Sequence, residues 1–160
     1  MNETYRIRPF YPTDQSAAQQ LILDGLREHW GVLDPTLNPD LNDIMSSYVQ
    51  AGHAFFVVEE NGELIGTGGL LIEAPGVGRI VRVSVSAACR RRGLGRAISE
   101  HLIAVANDLG CYRLLVETTD TWTAAIRLYQ ECGFTPYAWT DGDVQMAMIL
   151  GQGLDKLTSR

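Results

Sequence analysis

The chain has 160 residues, 46% of them hydrophobic and 20% charged, the profile of one soluble globular domain around a single core. A formal net charge of −6, with Lys156 the sole lysine, argues against nucleic acid and against an anionic membrane, which call for a broad basic face. No apolar run approaches the ~18 residues that cross a bilayer, and the N-terminus MNETYRIRPF lacks the basic-then-apolar layout of a secretory signal, so a cytoplasmic protein is expected.

TYRIRPF (4–10) alternates and is stopped by Pro9 and Pro12, which predicts a first strand. Thr13 or Asp14 can cap the helix that follows, whose apolar period runs through Ala18, Leu21, Ile22, Gly25, Leu26 and His29. The same period in DLNDIMSSYVQ (40–50) predicts a second helix, with Asp40 placed to cap it. HAFFVVEE and ELIGTGGLLIE flank Asn61-Gly62, a pair that tolerates the positive φ of a two-residue hairpin turn. RIVRVSVS is a third β-branched run. Gly93 opens a helical stripe of Leu94, Ile98, Leu102, Val105 and Leu109. YRLLVETT then reads as a strand and TWTAAIRLYQEC as a helix ended by Gly133, and FTPYAWT and VQMAMIL form a closing hairpin about Asp141-Gly142. Residues 1–150 make one domain in this reading, and 151–160 a flexible tail.

Cys89, Cys111 and Cys132 are odd in number, far apart and without a C-x-x-C pair, so neither a disulfide framework nor a metal site is expected. ACRRRGLGRA (88–97) concentrates positive charge in an acidic protein. It lies between a strand and a helix, where unpaired N–H groups carry partial positive charge. Gly93 and Gly95 let an anion approach the backbone, while Arg90, Arg91, Arg92 and Arg96 add charge-assisted donors. A pyrophosphate suits this arrangement. The plain alternative is a solvated arginine cluster. The P-loop signature is absent, and GLGRAI lacks the third glycine of the dinucleotide fingerprint.

VSVSAACRRRGLG and LLVETTDTWTAAIRLYQECGF resemble two sequence blocks of the GNAT family of acyl-CoA-dependent N-acyltransferases. The first matches a strand ending in V-x-V followed by R/Q-x-x-G-x-G/A, carried by Arg90, Gly93 and Gly95. The second matches A-I-x-L-Y-x-x-x-G-F at 125–134, and the element order β α α β β β α β α β β over residues 4–150 agrees. The resemblance implies an α/β fold whose mixed, mostly antiparallel central sheet has splayed parallel central strands flanked by helices. It also implies acetyl-CoA as co-substrate, with its pyrophosphate on the backbone of Arg91, Arg92, Gly93, Leu94, Gly95 and Arg96. The pantetheine arm would lie along Val83, Ser84 and Val85, with the Val83 N–H donating to the thioester carbonyl.

By the same resemblance Tyr129 is the general acid, although Ala125, Tyr129 and Cys132 share a helical stripe that also suits core packing. Arg79 stands where histone-acetylating members carry a glutamate, and arginine cannot serve as a base. Glu28, His29, Glu73 and Glu117 are the remaining candidates. Trp122 replaces an asparagine that contacts the cofactor in many relatives, and either packs beside the pantetheine or joins the core.

The segment that lines the acceptor cleft in this family is acidic here, through Glu28, Asp34, Asp40 and Asp43. That would suit a cationic amine, although Asp34-Pro35 and Asn38-Pro39 are also turn signals. Arg82, unusual in an apolar strand, either binds a substrate carboxylate or pairs with Glu117. GTGG (66–69) sits inside a strand with no helix following, and reads as close backbone approach or a bulge rather than a phosphate loop. The expectation is an acetyltransferase acting on a primary amine of a small molecule, peptide or protein in a ternary complex. A non-catalytic acyl-CoA binding module is the alternative, and a homodimer is left open.

Overall fold

In the computed structural model, which describes residues 4–34 and 36–151, the alternating YRIRP segment forms β1 (Tyr5–Pro9). It pairs antiparallel with β2 (Ala54–Glu60), Tyr5 opposite Glu60 and Pro9 opposite Phe56. Asn61 and Gly62, with φ of 52° and 81°, turn the chain from β2 into β3 (Glu63–Ala74), both in the left-handed region that a type I′ turn requires. β4 (Val77–Val85) leads to α2 (Leu94–Asp108) and β5 (Arg113–Thr119), and then to α3 (Thr123–Cys132). β6 (Thr135–Thr140) and β7 (Asp143–Ile149) close the chain about Asp141 and Gly142, again at positive φ. α1 (Gln15–Trp30) lies between β1 and β2 in sequence.

The strand order is β1-β2-β3-β4-β5-β7-β6. β4 and β5 run parallel, whereas β5–β7 and β6–β7 are antiparallel, giving the mixed sheet that was expected. The parallel ladder joins Val77–Ile80 to Arg113–Val116, and β4 continues beyond it to Val85. β5, in contrast, is paired with β7 along its whole length from Arg113 to Thr119.

Two compact units use this order, Met1–Gly69 with Arg82–Ile98, and Leu70–Val81 with Ser99–Arg160. In the first, Ala18 and Ile22 of α1 are buried, as are Leu41, Ile44, Tyr48, Phe55, Val57 and Ile65. Phe55 meets Phe10 edge-on at 5.6 Å and Tyr48 at 5.0 Å. The GTGG run is buried, and a Cβ on Gly66 would lie 3.0 Å from both Val58 and Ile98, so the close-approach reading holds. In the second unit Leu70, Ile80, Leu102, Leu114, Val116, Val144 and Met146 are enclosed. Ala106, rather than Val105 and Leu109, continues the buried stripe of Leu94, Ile98 and Leu102 on α2; Leu109 lies just past the last residue of the helix and is 60% exposed.

The second expected helix is not an α-helix. Residues Pro39–Asn42 form a 3-10 turn and Met45–Val49 a π turn, closed by Gln50 N–H to Met45 O and His53 N–H to Tyr48 O. Gln15 seals the break, donating to Leu41 O at 2.8 Å and accepting from Ile44 N–H at 2.9 Å. The cap belongs to Asp43, whose carboxylate accepts from Ser46 N–H at 3.0 Å, whereas Asp40 lies inside the 3-10 turn. Pro35, Lys156 and the tail from 152 onward lie outside the described residues.

At the entry to α1, Asp14 is buried and accepts from both terminal nitrogens of Arg8, at 2.8 and 3.0 Å, and from Tyr11 N–H at 2.8 Å. Burial opposes its charge, yet the Arg8 guanidinium and the Tyr11 amide outweigh burial and hold the carboxyl below its ordinary value. A depressed carboxylate stabilises the fold above its ordinary range, and that contribution is lost as pH falls through the folded value. Asp14→Ala, which takes the two-point partner of Arg8 away and leaves its guanidinium with Glu59 and Pro9 O, is expected to cost about 1–3 kcal/mol in urea denaturation at neutral pH. The gap from the parent protein should narrow on acidification, and a gap independent of pH would contradict the pairing.

Candidate active site

β4 passes through Ser86 into a short turn at Ala87–Cys89 and then into the arginine loop. Arg90 is extended, whereas Arg91 and Gly93 are left-handed, with φ of 65° and 77°. Turns that alternate right- and left-handed residues can gather successive backbone N–H groups into an anion-binding concavity, and Arg91 and Gly93 supply two left-handed positions here. Leu94, 2% exposed, anchors the start of α2 in the core, and Ala97 N–H bonds Gly93 O at 3.0 Å, so Gly93 caps the helix. A Cβ on Gly93 would meet nothing within 4 Å, which leaves the approach to this helix N-terminus open. The backbone angle, not crowding, is what asks for glycine there.

Two of the arginines already hold carboxylates. Arg90 pairs with Glu28 of α1, with Nη2 2.6 Å from Oε2, and Arg92 pairs with Glu60 at the end of β2, at 3.0 and 2.6 Å. Arg90 holds Glu28 below its ordinary value, and Arg92, helped by the Thr4 hydroxyl, brings Glu60 down to about 2. Arg90, Arg91, Arg92 and Arg96 remain exposed.

Upstream, Val83, Ser84 and Val85 are half-buried. Ser84 Oγ lies 3.2 Å from where a Gly25 Cβ would sit, so α1 packs closely on this end of β4. Arg82, one residue before Val83, is left-handed with φ of 54°. Its carbonyl accepts from the buried Thr67 hydroxyl at 2.8 Å. Its guanidinium grips Asp40 through Nε at 3.0 Å and Nη2 at 2.7 Å, and reaches Asn38 at 3.1 Å. The partner of Arg82 is therefore Asp40, not Glu117, because the 38–42 turn supplies the carboxylate.

The four acidic residues that suggested a cationic acceptor are all engaged by their own unit. Glu28 holds Arg90 and Asp40 holds Arg82, while Asp34 accepts from Thr36 N–H and hydroxyl at 2.9 and 2.7 Å, and Asp43 caps Ser46. Of the base candidates in this unit, Glu28 is ion-paired and His29 is exposed, edge-on to Trp30 at 4.8 Å.

In the second unit, Tyr129 is buried on α3 and packs edge-on to Phe134 at 5.7 Å. Burial pushes its hydroxyl pKa well up, so the group stays protonated at neutral pH. Trp122 is half-buried at the N-cap of α3, where its carbonyl accepts from Ile126 N–H at 3.1 Å. Glu73 and Glu117 flank Arg79. Glu73 is hydrogen-bonded to Arg79, whereas Glu117 lies 4.0 Å from it and accepts from Gln145 at 2.7 Å. Asp40 was singled out as a cap and as part of the acidic segment, but its union with Arg82, Asn38 and Tyr48 escaped sequence reasoning. The one available signal was an arginine in an apolar strand, which needs a counter-charge.

The model of the Acetyltransferase (GNAT) family matches residues 16–134. A probable N-acetyltransferase family 8 member 5 of Mus musculus is 35% identical over 103 residues, which cover 61% of this chain and 45% of that protein. The chain thus spans less than half the length of this relative. Glucosamine 6-phosphate N-acetyltransferase 1 of Oryza sativa subsp. japonica is 29% identical over 154 residues, 91% of this chain and 87% of that one. Among solved structures, yncA, a putative acetyltransferase from Salmonella typhimurium with its cofactor acetyl-CoA, superposes with a TM-score of 0.76 at 23% identity. That match covers 92% of this chain and 95% of the other.

Because a side chain at Gly93 meets open space but a left-handed backbone, Gly93→Ala should lower folding stability by about 1–2 kcal/mol. Chemical denaturation measures it, and an unchanged midpoint would show that the loop relaxes out of this conformation.

Proposed function

Because this chain belongs to the GNAT acetyltransferase family, we propose that it transfers the acetyl group of acetyl-CoA to a primary amine by direct attack in a ternary complex. The observation that carries this reading is the arginine loop, where two left-handed residues and an open helix N-terminus follow directly on the strand bearing Val83–Val85. Donors of this kind fit a pyrophosphate, and Arg90, Arg91, Arg92 and Arg96 surround them with positive charge. In this reading the backbone of Arg91–Arg96 holds the phosphates, and Val83, Ser84 and Val85 hold the pantetheine arm. Trp122 packs against the co-substrate.

Acetyl-CoA supplies a thioester, an acyl group activated toward an amine. The Val83 N–H stabilises the negative charge that develops on the carbonyl oxygen during attack. Tyr129, protonated at neutral pH, gives its proton to the departing thiolate. Removal of the proton from the ammonium falls to Glu28, His29, Glu73 or Glu117, directly or through water; Glu28 and Glu73 are each already paired with an arginine.

With Glu28 and Asp40 paired to arginines, and Asp34 and Asp43 still charged but engaged in local hydrogen bonds, the segment gives weaker ground for preferring a cationic acceptor. An acceptor panel therefore spans polyamines, amino acids and amino sugars, with glucosamine 6-phosphate included on the likeness to the rice relative. Release of free CoA dependent on one of these amines, competitively inhibited by ADP, is the expected result. Acetyl-CoA binding without amine-dependent release across the panel would favour a non-catalytic binding module. Tyr129→Phe keeps the ring and removes the proton. Its turnover should fall about ten-fold to a thousand-fold with the fold retained, and an unchanged rate with chemistry limiting would return Tyr129 to packing alone.

A further inference from the structure

A strand interior is a costly place for a left-handed arginine, since the Cβ of any residue other than glycine is crowded there and arginine has no local side-chain bond to offset it. Arg82 nevertheless adopts φ of 54° between Val81 and Val83. Its surroundings hold it from three sides. Thr67, fully buried on β3, takes the Arg82 carbonyl. Asp40 takes the guanidinium through a two-point fork, and Asn38 takes a further donor. Tyr48, itself buried against Phe55, donates to Asp40 Oδ2 at 2.6 Å and so fixes the carboxylate that fixes the arginine. Burial opposes the charge on Asp40, but the Arg82 and Tyr48 hydrogen bonds overcome it and keep the carboxyl below its ordinary value.

This left-handed residue redirects the peptide that follows. Before it, β4 alternates, with Gly78 and Ile80 buried and Val77, Arg79 and Val81 less so; after it, the alternation is gone and residues 82–85 are uniformly half-buried. A left-handed residue inside a strand turns the peptide plane that follows it.

Resting on the reading of Val83 given above, we propose that Arg82 is a positioning residue. The Asp40 fork, locked by Tyr48 and Asn38, holds its backbone left-handed and thereby aims the Val83 N–H at the thioester carbonyl. Asp40 and Tyr48 act on catalysis through Arg82 and not by touching the acceptor.

The test reads carbonyl polarisation without turnover. Acetyl-CoA carrying 13C at the thioester carbonyl is bound to the parent protein and to variants, with no amine present, and its carbon shift is followed by NMR beside calorimetry of CoA. The parent should move the carbonyl downfield. Asp40→Asn and Arg82→Val, the second carrying a β-branched side chain that resists positive φ, should lose most of that displacement while CoA affinity holds. Arg82→Gly should keep it, because glycine adopts positive φ without a clamp. In the Arg82→Gly background, adding Asp40→Asn should change nothing further. Should Arg82→Val fail to fold, the comparison of Asp40→Asn alone with Asp40→Asn/Arg82→Gly still decides. The proposal is overturned if Asp40→Asn leaves the displacement intact, or if its effect persists once residue 82 is glycine. A parent protein that binds acetyl-CoA without any displacement would instead overturn the reading of Val83, and the proposal with it.

Discussion

The parallel pairing of Val77–Ile80 with Arg113–Val116 dictates most of the site. Parallel neighbours cannot be joined by a tight turn, so the chain leaves the end of β4 through a crossover helix before returning as β5. The N-terminus of α2 therefore follows directly on the end of β4, with its first N–H groups lacking helical partners. Everything placed on the loop between them serves that geometry: Leu94 buries the first turn, Gly93 accepts the left-handed cap, and the arginines collect where anions are already favoured. The parallel ladder covers Val77–Ile80 of β4, and the left-handed Arg82 follows it before the strand ends at Val85.

Arginine in this protein does two jobs, and counting charges along the chain confuses them. Arg8, Arg79, Arg82, Arg90 and Arg92 each hold a carboxylate, so much of the negative charge that dominates the composition is answered locally. Arg8–Asp14 and Arg82–Asp40 are largely shielded from water and fix backbone geometry, where loss of one partner is costly. Arg90–Glu28 and Arg92–Glu60 are more exposed, and pairs of that kind contribute little to stability. Their guanidiniums are correspondingly easy to share with a bound phosphate. A net charge of −6 thus describes solubility better than it describes a substrate.

The hairpins at Asn61-Gly62 and Asp141-Gly142 and the cap at Gly133 were legible because each is decided by local backbone preference. The strand–loop–helix around Gly93 was legible for the same reason, with periodicity marking both flanks. The segment 39–49 was not, because Gln15, far away in sequence, supplies the hydrogen bonds that allow a break and a π turn where the apolar period asks for an α-helix. Arg82 was visible as an oddity, but neither its left-handed backbone nor its union with Asp40 could be read. Arginine has no propensity for that conformation, and its partner lies in a turn 42 residues away. Tyr129 is buried, as its place on the α3 stripe required.

The central claim is that the loop before α2 recognises acetyl-CoA through its backbone, and amide NMR tests it most directly. In a titration of 15N-labelled protein with acetyl-CoA, the largest shifts should fall on the N–H groups of residues 91–96, and ADP alone should reproduce them. Saturable binding that leaves those resonances in place while moving others would contradict the account.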